Sequence, residues 1–304
     1  MTNNTNTTAL LGLLAETSIH AGAGQMAGTI DLPIQREAHT DWPVIYGSAV
    51  KGALRTLAED QQYSWIVDVF GPDTKKASDN AGALLVGDAR LLLLPVRSLT
   101  SHFKWVTCPA LLQRFQADLE RLDLPSSFSA ADIPSINTLE DALVPQGRTG
   151  PLFLEEFRCQ TQPTDLSKVI SALILLMERN DAEAALQEQL VVVHNNLFRH
   201  LARFATPVNA HICLDNDTKT VKSGALWYEE SLPPDTVLYV CLVGQKTRVK
   251  NGTKSAADVL KHITQDLFDR PYLQLGGNET VGMGWCKVKL WQQKGTNHVQ
   301  TQQE

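Results

Sequence analysis

Residues 19–55, IHAGAGQMAGTIDLPIQREAHTDWPVIYGSAVKGALR, decide the fold. They join an apolar run, TALLGLLAETSIH from Thr8, to a segment whose apolar spacing is that of a helix from about Ser48 to Gln61. Gly22, Gly24 and Gly28 give up side-chain packing for backbone freedom, which a plain core connection does not require. We therefore read strand, ligand loop, helix. Gly47 and Ser48 open the helix with Ser48 as its cap, where free backbone amides can meet an anion. Lys51 and Arg55 follow four apart on one face, placed to grip successive phosphates or to stand as solvated bases. The GxxxxGK[ST] pattern is missing, which argues against a nucleotide triphosphate loop.

Working outward, GALLVGDARLLLLPV (82–96) reads as a strand and 109–122 as a surface helix. Residues 124–151 read as an irregular Pro-, Ser- and Gly-rich insertion, and 166–180 as a helix or buried connector. HICLDNDTKTVKSGALWYEESLPPDT (211–236) has the turn formers of a projecting hairpin, Asp215-Asn216-Asp217 and Ser223-Gly224, between strand-like flanks. Asp235 to Val243 reads as a strand and Ser255 to Asp269 as a helix. A glycine loop and final strand close the pattern, with polar tails at 1–7 and 294–304. The class is α+β, with an antiparallel sheet and helices on one face.

At 304 residues and 43% apolar content the chain can bury a full core. It shows no signal peptide and no apolar run near the ~20 residues that span a bilayer, so the expectation is a cytoplasmic protein without membrane contact. The five cysteines form no CxxC pair, so neither a disulfide framework nor a zinc site is expected, and each reads as a small buried or half-buried apolar residue. A net charge of −6 argues against non-specific coating of nucleic acid but leaves room for a local site. Basic residues do cluster, at Lys51 and Arg55, at Arg97, His102 and Lys104, and at Lys246, Arg248, Lys250 and Lys254.

Candidate chemistry falls in three places. His20 and Asp31 form an acid-base pair in the first loop, or a hydrogen-bonded strand end and a turn residue. RNA supplies its own nucleophile, the 2′-OH, so one such group beside a phosphodiester suffices to assist cleavage. Glu229 and Glu230, next to Trp227 and Tyr228, could join Asp31 at a metal, or be ordinary solvent-facing residues. The aromatic pair could stack on a base or belong to the core. Gly276, Gly277, Gly282 and Gly284 form a loop that lets backbone amides approach a ligand, or simply a tight turn.

These residues resemble a known family. H-x-G-x-G, IDLPIQRE-x-HT, GS-x-x-KG-x-x-R, GALWYEESLPPDT and GGNETVGMGW run in order from His20 to Trp285, and together resemble the RAMP superfamily of CRISPR proteins. The wording is closest to the repeated backbone subunits of type III-B (Cmr) effectors, with the type III-A equivalent as the alternative. The resemblance implies an RRM-like (ferredoxin-like) palm over 8–293, with helical and irregular insertions at about 97–190 and a β-hairpin thumb at about 211–230. It implies stacking of copies along a guide RNA, and contact with target RNA and with other subunits of the effector, including the small one. It further implies cleavage of the paired target at six-nucleotide intervals with a divalent metal, magnesium or manganese, at Asp31. By the same match Lys51 and Arg55 would hold the guide backbone; beside it, the residues themselves offer His20, Glu229 and Glu230 as further catalytic candidates and Gly47, Ser48, Gly276, Gly277, Gly282 and Gly284 as further RNA contacts. A non-catalytic RNA-binding scaffold is the competing reading.

Overall fold

In the computed structural model the residues described are 7–25, 28–73, 80–215, 217–249 and 252–292. Both expected tails, save Thr7, lie outside them, as do Asn216 and Lys250. The first strand, β1 (Thr7–Ala15), is buried along most of its length because both its faces are covered. Leu10 and Leu14 enter one hydrophobic core, and Ala9, Leu11 and Leu13 another. That division follows the two-residue period of a strand.

A two-residue strand β2 (Val44–Ile45) leads into α1 (Gly47–Asp60), followed by α2 (Ile66–Phe70). The strand expected over 82–96 is two strands, β3 (Leu84–Val86) and β4 (Ala89–Arg97), separated by Gly87-Asp88. Next come β5 (Phe103–Thr107), α3 (Pro109–Arg121), β6 (Asp141–Pro145), β7 (Leu152–Leu154) and β8 (Phe157–Thr164). Helices α4 (Ser167–Ile174) and α5 (Ala182–Gln189), strand β9 (Leu190–Val193) and helix α6 (Asn195–Phe204) follow. The hairpin strands are β10 (Val208–Leu214) and β11 (Val221–Glu230). The chain ends with β12 (Val237–Gly244), α7 (Ala256–Lys261), β13 (Tyr272–Gln274) and β14 (Trp285–Gln292). The helix expected to reach Asp269 stops being α-helical at Lys261 and continues as a π-turn over His262–Asp266.

Strands β14, β1, β12 and β4 lie side by side in that order, each antiparallel to its neighbour. Helix α1 lies between β1 and β4 in the chain, and α7 between β12 and β14, which is the split βαβ, or ferredoxin-like, arrangement. The sheet continues through β5, β9, β6, β8 and β7, with parallel pairing at β5·β9 and β6·β8. Residues 97–190, expected to be a helical and irregular insertion, hold helices α3 to α5 and also strands that extend the same sheet, and the stretch 124–151 contains one of these strands, β6.

Helices cover both faces of the sheet, not one. Val50, Leu54 and Ala58 of α1 and Val259 and Leu260 of α7 pack with Leu238, Val240 and Leu242 of β12. Helices α3, α4, α5 and α6 pack on the opposite face with Val237, Tyr239 and Cys241. This second layer sits close. A Cβ on Gly12 would lie 2.3 Å from the Leu176 carbonyl oxygen, so only glycine fits there. Asp118 of α3 anchors the layer, accepting from Arg90 Nη1 at 2.6 Å and from the Tyr239 hydroxyl at 2.9 Å.

Candidate active site

At one end of the sheet the first loop runs alongside the base of the hairpin. Leu32 N–H donates to Tyr228 O at 3.0 Å, and Glu230 N–H donates to Leu32 O at 3.0 Å. The half-buried carboxylate of Asp31 extends this short parallel ladder, because its Oδ2 accepts from Tyr228 N–H at 2.8 Å, where a backbone carbonyl would otherwise serve. Asp31 is thus tied directly to the hairpin strand β11, and Ile212, Leu226 and Tyr228 of the hairpin are exposed.

His20 is reached from the other side. Its Nδ1 lies 2.7 Å from the Glu230 carbonyl oxygen, and a carbonyl only accepts, so Nδ1 carries the proton. In the neutral ring Nε2 is then an acceptor, pressed so close to Gly22 that a Cβ there would stand 2.8 Å away. The second glycine loop wraps the His20 backbone: Gly277 N–H donates to His20 O at 2.8 Å, and Gly284 N–H to Ser18 O at 2.8 Å. Gly276, at φ +89°, would place a Cβ 2.5 Å from His20 O, and Gly284, at φ +87°, one 2.1 Å from Leu275 O. These two glycines serve close backbone packing. Gly282, at φ +82°, has open space around it. His20 and Asp31 are not bonded to each other; each is bonded to the backbone of β11.

Glu229 and Glu230 are neighbours on a strand and so point to opposite sides. Glu229 turns toward the glycine loop, accepting from Asn278 Nδ2 at 2.5 Å and lying 3.9 Å from His20 Nδ1. Glu230 turns inward. Its carboxylate, 2% exposed, is paired with Arg36, accepts from Thr206 Oγ1 at 2.7 Å and accepts from Ile34 N–H at 3.1 Å. Neither open reading of the glutamates holds: both are buried and so are not solvent-facing, and they do not join Asp31 in a metal group. Among the described residues no three His, Cys, Asp or Glu side chains come together as a metal site. A magnesium or manganese ion at Asp31 would take that one carboxylate from the chain and depend on phosphate oxygens and water for the rest, a donor set that magnesium accepts.

Helix α1 is wired differently from the expectation. Its N-cap is Tyr46, and Ser48 is exposed within the first turn. The cap is supplied from afar: Asp88 Oδ1 accepts from Gly47 N–H at 2.7 Å, so a carboxylate already occupies the expected anion position. Gln35 ties this helix start to the loop, accepting from Tyr46 N–H at 2.7 Å and donating to Gly22 O at 3.1 Å. Lys51 and Arg55 are half-buried, not freely solvated. Arg55 donates to the carbonyls of Gly71 and Pro72 at 3.1 Å and pairs with Glu59 at 2.7 Å. Lys51 reaches Leu84 O at 3.4 Å, and burial, then the charge of Arg55, lowers its pKa.

The hairpin begins three residues before the expected 211. Asp215 forms the turn, its Oδ1 accepting from Asp217 and Thr218 N–H, but Ser223-Gly224 lies inside β11. The register shift between Ile212 and Leu214, with Gly224 at φ +75°, makes that pair part of a bulge and not a turn. Trp227 stacks on His211, ring centroids 5.4 Å apart. Gln35 and Arg36 stand in the IDLPIQRE run and Asn278 in GGNETVGMGW, but the sequence assigns none of them a role, and nothing in it points to Asp88 or Thr206.

A ferredoxin-like unit in an extended sheet, a hairpin and two glycine loops around one histidine define the class, and the chain belongs to the RAMP superfamily, whose profile matches residues 13–287. It is 36% identical over 287 residues to the CRISPR system Cmr endoribonuclease Cmr4 of Pyrococcus furiosus, covering 92% of this chain and 95% of that one. It is 25% identical over 302 residues to the CRISPR system CMR subunit Cmr4 of Saccharolobus solfataricus, covering 90% and 94%. The crystal structure of oligomeric Cmr4 from Pyrococcus furiosus superposes with a TM-score of 0.70 at 29% identity, over 95% of this chain and 99% of that one. A type III-B Cmr-beta structure bound to cognate target RNA shares the fold, with a TM-score of 0.74 at 21% identity over 93% and 96%.

Proposed function

We propose that this chain is the repeated, guide-RNA-binding backbone subunit of a type III-B CRISPR effector, and the endoribonuclease that cuts target RNA paired to the guide at six-nucleotide intervals. One observation carries the reading: in a chain 36% identical to a Cmr endoribonuclease, Asp31 stands half-exposed and held rigidly at the base of a projecting hairpin. The hairpin is the thumb, set against the paired RNA so that one phosphodiester lies at Asp31. The 2′-OH loses its proton, its oxygen bonds to the adjacent phosphorus, and the bond from phosphorus to the 5′ oxygen breaks, that oxygen taking up a proton. Asp31 orients the attacking hydroxyl. A divalent magnesium or manganese ion held by Asp31 would neutralise charge on the phosphate. His20, with Nδ1 fixed by the Glu230 carbonyl, presents Nε2 as the proton-accepting atom.

Lys51, the exposed Ser48 and the exposed glycines 276, 277 and 282 line the guide, with further copies of the chain and the other effector subunits, the small subunit included, completing the ribonucleoprotein in the cytoplasm. Many weak grips in series suit a chain of net charge −6. The test is Asp31→Asn in the assembled complex. Single-turnover cutting should fall at least a hundredfold with target affinity unchanged within twofold, and cutting at the parental rate overturns the assignment.

A further inference from the structure

Among the described residues the loop that carries Asp31 is fastened at three ionic points, of which one touches the hairpin. Glu37 accepts from Arg114 of α3 at 2.5 Å, and Asp41 pairs with Arg203 of α6. The third is Arg36 with Glu230, the last residue of β11. Arg36 does more than neutralise. Its Nη1 also donates to Asp41 O at 2.8 Å and to Ala202 O at 2.9 Å, so one guanidinium joins the loop to itself, to α6 and to the hairpin base. The Glu230 carboxylate in turn receives Ile34 N–H, three residues beyond Asp31. Both side chains are withdrawn from water, 15% and 2% exposed, so neither can trade its partner for solvent without moving backbone.

We propose that Arg36 and Glu230 are a positioning pair for cleavage: their buried ion pair locks the strand segment bearing Asp31 to the root of the hairpin. The seat of the hairpin on RNA and the placement of Asp31 are then set as one event. The physical reason is the order of contacts along β11. Tyr228 holds Asp31 through a backbone amide, and Glu230, two residues on, holds Ile34 and Arg36. Without the pair, the Tyr228 amide and Leu32 ladder remain as the direct ties between this segment and the strand, too few to fix a carboxylate within the tolerance cleavage geometry demands. This reassigns Glu230 from a group acting on RNA to one acting through Asp31, and it rests on Asp31 being the cutting residue.

The test uses Arg36→Gln and Glu230→Gln in the chain assembled with guide RNA and its partner subunits, with Asp31→Asn run beside them. Single-turnover cutting should fall at least tenfold in both variants while target affinity stays within twofold. Amide hydrogen exchange at Tyr228 and Ile34 should quicken in both. Arg36→Lys, which restores charge with fewer donors, should recover part of the rate. Glu230→Gln is isosteric and decides the matter where Arg36→Gln fails to assemble. Cutting within twofold of the parent, while Asp31→Asn is inactive, overturns the pair and spares the function. Loss of target binding in step with cutting also overturns it, because the pair would then only hold the fold. An Asp31→Asn complex that cuts at the parental rate overturns the assignment of Asp31, on which the pair rests.

Discussion

Asp31 is bonded as if it were a peptide group, and this explains why Asn is the informative replacement. An asparagine keeps an oxygen for Tyr228 N–H, while alanine would lose both the ladder contact and the charge. The cysteines give a second test at this scale. Four of them are buried, and burial pushes Cys108 and Cys286 up to about 12 and Cys159 and Cys241 up to about 11. The reactive form is the thiolate, so a raised value leaves almost none of it at neutral pH. Cys213 departs from the buried expectation, being exposed on β10. Brief alkylation of the native protein at pH 7.5 should mark Cys213 alone, as read by peptide mass spectrometry. Modification of Cys286 at a similar rate would contradict the packing of β14.

Among elements, α1 shows what a sequence can and cannot disclose. Its apolar spacing places it within a residue of its observed bounds, as the same signal does for α3, whereas β1 ends at Ala15, short of the run read to His20, and β12 begins two residues after the expected Asp235. Its electrostatic partners were invisible, because Asp88 and the carbonyls of Gly71 and Pro72 reach it only through the tertiary fold. Strands β5 to β9 were illegible for another reason: a short strand such as LVVV, buried throughout, has no alternation to read. At the site, His20 and Asp31 stood out by motif, whereas Arg36 and Glu230 lie 194 residues apart and nothing local links them. The wiring of α1 separates its two bases. Arg55→Ala strips the 71–72 turn of its donors and should lower the thermal midpoint with little change in the salt dependence of guide binding. Lys51→Ala should do the reverse, reducing the slope of log K against log salt by about one. Equal slopes for parent and Lys51→Ala would remove Lys51 from the RNA path.

On the scale of the whole molecule, the long sheet suits one chain to both the grip and the cut proposed for it. The ferredoxin-like strands carry the loop and both glycine turns at one end, and the hairpin rises beside them from the segment between α6 and β12. The extension through β5 to β9 supports α3 and α6, whose Arg114 and Arg203 fasten the same loop from behind. Among the described residues no helix is long and apolar enough to cross a membrane.

The doubly covered strand β1 has a consequence for how the protein comes apart. Leu10 and Leu14 belong to one core and Leu11 and Leu13 to the other, so a single backbone serves as the common wall of both. Stripping the helices from one side wets that wall and loosens the side chains anchored through it. The two layers should therefore melt together, although a chain of this length often unfolds in stages. Trp65 reports on one core and Trp42, Trp105 and Trp291 on the other. In urea, the fluorescence of the parent and of Trp65→Phe should share one midpoint with the far-ultraviolet dichroism. Two separated midpoints would mean that the wall divides the molecule into independent halves and does not bind them into one.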